Sequence, residues 1–150
     1  MATISFHNHN ITLALKEKTA LKVFILSIFA REKVEAKKID YIFCNDEYLL
    51  TLNQQYLNHD TYTDIITFTL SESSLPTVSE IYISVERVKS NASELQIPFE
   101  QELLRVMFHG VLHLCGYSDH NPILKSEMRQ KEDYYLKDFT GDVSRETSPT

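Results

Sequence analysis

The chain has 150 residues, 43% of them apolar and 24% charged, with a net charge of −6 at pH 7. That length suits one domain with room for a core, and no stretch approaches the run of about 20 apolar residues that a membrane span needs. The acidic balance argues against indiscriminate nucleic-acid binding, which needs a positive field, and two cysteines without framework spacing, Cys44 and Cys115, point to a reducing cytoplasm.

Residues 3–7 alternate apolar and polar and predict an edge strand. Ile11 to Arg31 predicts a helix, with Leu15, Val23, Leu26 and Ala30 at helical spacing and lysines between them. Its Val23–Ala30 run is broken by Ser27 and sits behind charged residues, which does not fit a signal peptide. Residues 12–40 carry seven Lys/Arg against four Asp/Glu, a cluster best explained by a solvated helix face.

Lys38 to Cys44 alternates with Ile39, Tyr41 and Phe43 on one side, so a strand follows. Asn45 or Asp46 caps the next helix, which runs to about Tyr56 with Leu49, Leu52 and Tyr56 inward. Leu57 to Tyr62 is a polar loop. Residues 64–70 and 80–84 are rich in β-branched and aromatic residues and predict two buried strands, joined across Pro76. Ser84 caps a helix from Val85 to about Leu95.

Pro98 suits the first turn of a further helix, with Glu100 and Glu102 near its positive end. From Leu103 that helix is apolar on nearly all sides and should be the buried one. Gly110 within it costs about 1 kcal/mol against alanine, and predicts that another backbone comes close to the site. Asn121-Pro122 starts a last amphipathic helix to about Leu136, and residues 141–150 form a polar tail expected to be disordered. The fold class is therefore α+β: one domain, with a roughly four-stranded mixed sheet covered by helices.

The chemistry concentrates in Phe108 to His120, which holds three of the six histidines. His109 and His113 are four apart, about 40° and about 6 Å from each other on a helix, so both imidazoles share one face. Burying two imidazoles without a common partner is costly, and this spacing suits one metal ion. Gly116 stops the helix, and the turn after it offers Asp119 or His120 as the third ligand. Cys115 points to the far side and acts as a small buried hydrophobe. Where zincin proteases place a glutamate base after the first histidine, this chain has Gly110.

His109-Gly-x-Leu-His113-Leu-x-Gly116-Tyr117 resembles the signature of the YbeY-type metal-dependent endoribonucleases. Leu52-Asn53-x-x-Tyr56, Asp60-x-x-Thr63-Asp64-Ile65-Ile66-Thr67-Phe68 and Glu80-Ile81-Tyr82-Ile83-Ser84 are similar to other segments of that family, so the likeness spans roughly residues 37–136. It implies that residues 1–140 form a cytoplasmic zinc-dependent single-strand endoribonuclease domain. That domain would act with rRNA and the ribosome in 16S rRNA 3′-end maturation and ribosome quality control. His109 and His113 would hold one Zn2+, with either Asp119 or His120.

Two departures from the family pattern stand out. The family's third histidine falls at the position held here by Asp119, with His120 one residue later. The family's arginine after the aromatic at Tyr56 is Leu57, so phosphate contact would fall to His59, Arg87 or Arg105. Thr63 and Asp64 would orient a ligand imidazole from behind. The alternatives are a metal-dependent hydrolase of another bond, such as a peptidase, and a non-catalytic RNA- or ribosome-binding factor with a structural metal.

Overall fold

The computed structural model of the protein describes residues 2–72 and 75–147, with side chains through Gly141. Strands β1 (Thr3–Asn8), β2 (Ala36–Cys44), β3 (Ile65–Thr69) and β4 (Thr77–Ser84) form one sheet in the order β1-β2-β4-β3. The first two and β4 run parallel, while β3 lies antiparallel on the far edge of β4. Helices α1 (Lys18–Arg31), α2 (Asp46–Leu57), α3 (Val85–Leu95), α4 (Phe99–Leu114) and α5 (Pro122–Thr147) cover it, which is the expected α+β arrangement.

Alternation along the strands divides the core. Ile39, Tyr41, Phe43, Ile81 and Ile83 face α1 and α4, whereas Cys44, Ile66 and Tyr82 meet Leu49 and Leu52 of α2 on the other side. The expected burial of α4 holds: Leu103, Val106, Met107, Phe108, Val111 and Leu112 are all inside. Each such side chain contributes about 1.5–3 kcal/mol on burial. Tyr41 reaches the helix with its hydroxyl, which donates to the Met107 carbonyl at 2.9 Å, and burial pushes its phenol well above the usual range.

Gly110 serves this packing, and the expectation for it needs correcting. A Cβ there would lie 3.0 Å from Ile65 Cδ1 and 3.1 Å from Ile81 Cγ2. The glycine lets α4 settle on side chains of β3 and β4; it does not admit a second backbone.

The caps read from the sequence form as expected. Asn45 Oδ1 accepts from the Tyr48 N–H at 2.8 Å, and Ser84 Oγ from the Arg87 N–H at 3.1 Å. Other expectations fail. The first helix starts at Lys18, not Ile11: Ile11, Leu13 and Leu15 alternate in a segment without regular secondary structure that packs on the core. Its buried face is Leu21, Ile25, Ile28 and Phe29, leaving Val23 64% exposed. Tyr56, expected inward, is also exposed. The last helix extends past Leu136 to Thr147; the tail expected over 141–150 falls almost wholly outside the described side chains.

Candidate active site

Helix α4 ends in a turn that aims one residue back along its own face. Gly116, at φ 102°, takes the left-handed conformation that other residues rarely adopt. The Gly116 N–H donates to the His113 carbonyl and the Tyr117 N–H to that of Leu112, each at 3.0 Å, closing the helix end as a Schellman motif. The Tyr117 hydroxyl then donates to Glu32 at the end of α1, at 2.8 Å. Glu32 also accepts from the Tyr135 hydroxyl and from Lys131 Nζ, both on α5. Burial pushes the Glu32 carboxyl up, but these three donors outweigh it and hold it below the usual carboxylate range.

The anchored turn sets Asp119 Oδ2 4.0 Å from His109 Nε2. On the other side of the ring, His109 Nδ1 lies 2.6 Å from Glu132 Oε2, a buried carboxylate of α5. Burial pulls the imidazole down, but the hydrogen bond and charge of Glu132 more than offset it and raise His109 above its ordinary value. A carboxylate on Nδ1 fixes the tautomer and leaves Nε2 with its lone pair free, the usual support for a metal-binding histidine.

These residues border a cleft of about 330 Å3 between α4, α5 and the start of β3. Thr63, Asp64 and Ile65 line one wall; Arg105, Lys125 and Arg129 line the others. Four carboxylates, Asp64, Glu102, Asp119 and Glu132, face these three cations. Arg105 bonds Asp133 at 2.8 Å and stands 3.6 Å from both Glu102 and Glu132. The Asp64 carboxyl accepts from the Asn91 amide at 3.2 Å, and burial pushes it up. Glu102 is buried as well, yet its Oε1 has no hydrogen-bond partner among the described residues. Leaving a buried acceptor unpaired costs about 1–3 kcal/mol.

A family model described as Endoribonuclease YbeY matches residues 3–140. The chain belongs to the YbeY family. An Endoribonuclease YbeY from Flavobacterium psychrophilum is 48% identical over 136 residues, covering 91% of this chain and 96% of that one. Another from Amoebophilus asiaticus is 42% identical over 135 residues, covering 90% and 92%. A solution structure of a Thermotoga maritima protein matches with a TM-score of 0.65 at 29% identity, covering 98% of this chain and 95% of that one.

Within this YbeY fold, His109, Asp119, Thr63, Asp64 and Arg105 come together at the cleft. His113 follows one turn after His109 but is exposed and does not line it. His120 is exposed as well, its backbone N–H donating to Ser118 Oγ at 3.2 Å. Arg87 is committed elsewhere, bonded to Asp46 at 2.9 Å and set over the Tyr62 ring. His59 is exposed on its loop, and Leu57 is 41% exposed.

Among the described residues no three His, Cys, Asp or Glu side chains already converge as a metal ion requires. The donor chemistry nonetheless suits zinc: an oriented imidazole, a facing carboxylate, and a second imidazole one turn along the same helix. The sequence reading missed Glu102, Glu132, Lys125 and Arg129. For Glu132 a signal existed, since it sits on one helical stripe with buried Met128 and Tyr135. A carboxylate in an apolar stripe calls for a buried partner.

Proposed function

We propose that the chain is a zinc-dependent endoribonuclease that cuts single-stranded RNA in the cytoplasm, acting with the ribosome in 16S rRNA 3′-end maturation and ribosome quality control. The observation that carries this reading is the Glu132–His109–Asp119 line inside a cleft bordered by Arg105, Lys125 and Arg129, in a chain of the YbeY family.

His109, His113 and Asp119 would hold the ion. When bound, it supplies Lewis acidity at a phosphoryl oxygen and acidifies water in the cleft. The protein's own groups do the rest. Glu132 keeps the proton of His109 on Nδ1, so that Nε2 presents a lone pair to the cleft. Lys125 and Arg129, both on the open side of α5, meet the RNA backbone and fix its register without reading bases. Three cations against four carboxylates leave the cleft with little net field of its own, so a dication there makes it attractive to phosphate.

The test is metal content and cleavage of a structured rRNA fragment by wild type, His109→Ala and His113→Ala. About one zinc per chain and RNA cleavage in wild type, with both lost in each variant, supports the reading. A wild type that retains zinc and cleaves nothing turns it toward an RNA-binding factor with a structural metal.

A further inference from the structure

Of the four carboxylates in the cleft, two already make hydrogen bonds: Glu132 to His109 Nδ1, and Asp64 from the Asn91 amide. Asp119 is exposed and faces His109 Nε2 at 4.0 Å. Glu102 is the buried one left with an oxygen unpaired. It is only 5% exposed and lines the same cleft, and its Oε1 bonds to nothing among the described residues. The nearest cation, Arg105 Nε, stands 3.6 Å away, close enough to attract but beyond hydrogen-bond reach, and its guanidinium is turned to Asp133. Native structures rarely leave a buried polar atom unpaired, and a role in chemistry is one of the reasons that they do.

We propose that Glu102 is the general base of the cleavage reaction. This rests on the nuclease reading above. The Glu102 carboxylate takes a proton from a water in the cleft as that water's oxygen bonds to phosphorus. The bond from phosphorus to the leaving ribose oxygen breaks, and that oxygen takes a proton from solvent. Glu102 then returns its proton to solvent. The setting fits the role. Asp64 across the cleft and Glu132 on α5 repel a negative charge at Glu102, and Arg105 and Arg129 favour it. Burial is the largest influence and pushes the carboxyl up, which makes it a stronger proton acceptor than a solvated carboxylate.

Helix α4 places the residue well. Glu102, Val106, His109 and His113 follow one another at helical spacing on one face, so the base and the imidazoles share a rigid support.

The experiment uses the full zinc-loaded chain as wild type, Glu102→Gln and Glu102→Asp. It records zinc per chain, affinity for a single-stranded RNA, and kcat from pH 4.5 to 8.5. Glu102→Gln should keep its zinc and its RNA affinity and lose about a hundredfold or more in kcat. Wild type should show an acid limb of tenfold per pH unit, which disappears in Glu102→Gln and persists in a partly active Glu102→Asp. An active wild type beside a Glu102→Gln of similar kcat and unchanged acid limb overturns the assignment alone. So does loss of zinc in step with activity, which makes Glu102 a structural support. A wild type that cleaves no RNA overturns the nuclease reading and this assignment with it.

Discussion

Glu132→Gln isolates the contact on which the site is built. The change keeps the shape of the side chain and replaces a charge-assisted hydrogen bond of 2.6 Å to His109 by a neutral one. Such bonds to charged groups contribute about 1.5–3 kcal/mol. Arg105 and Arg129, 3.6 Å and 3.7 Å from Glu132 Oε1, lose a partner too, but both have other contacts or solvent. A net loss of about 2 kcal/mol is expected, which for a domain of this size lowers Tm by about 4–8 °C.

The pH dependence gives a second handle on the same pair. His109 is raised above its ordinary value of 6.5 in the folded state. Its stabilising contribution is therefore complete below about pH 6.5 and is lost as pH rises through the higher folded value. Metal-free wild type should lose stability between pH 6.5 and 8.5, by at most about 1.4 kcal/mol per pH unit, and Glu132→Gln should lose most of that slope. Urea or thermal unfolding after chelation and dialysis measures both. A Tm within a degree of wild type, or an unchanged slope, refutes the claim that this contact orients His109.

Zinc affinity separates the candidate third ligands. Asp119→Ala should weaken it by at least about a hundredfold, while His120→Ala leaves it unchanged; competition with a chromophoric chelator reads this directly. The joint variant Lys125→Ala/Arg129→Ala should raise KM for RNA at constant kcat and zinc content. It should also flatten the dependence of log affinity on log salt by about 0.7 per lost phosphate contact. Gly110→Ala gains about 1 kcal/mol of helix propensity but forces Ile65 and the fully buried Ile81 to yield. A net loss of about 1 kcal/mol in urea unfolding is expected, and a stabilised variant would show that the sheet face can give way.

What the sequence made legible was local. The caps at Asn45 and Ser84, the stop at Gly116 and the burial of α4 each depend on residues within a few positions of one another. The placement of His109 and Asp119 at one cleft follows from one helix and its own capped turn. The start of α1 is not legible because Ile11, Leu13 and Leu15 pack on the core from an irregular segment, and their alternation runs straight into the helical period that follows. Glu102 and Glu132 stayed hidden for a different reason. A carboxylate on a helix is ordinarily solvated, and only the packing of α5 on α4 puts these two out of water.

The Glu32 junction has a dynamic consequence. One carboxylate at the end of α1 fastens the turn that carries Asp119, through Tyr117, and the stretch of α5 that carries Glu132, through Lys131 and Tyr135. Neither side of His109 can swing away while that junction is closed. Amide protons in the turn, in the middle of α5 and at the end of α1 should therefore exchange with solvent at a common rate, as one cooperative unit. Glu32→Gln should release the three segments to exchange separately, with the turn opening first.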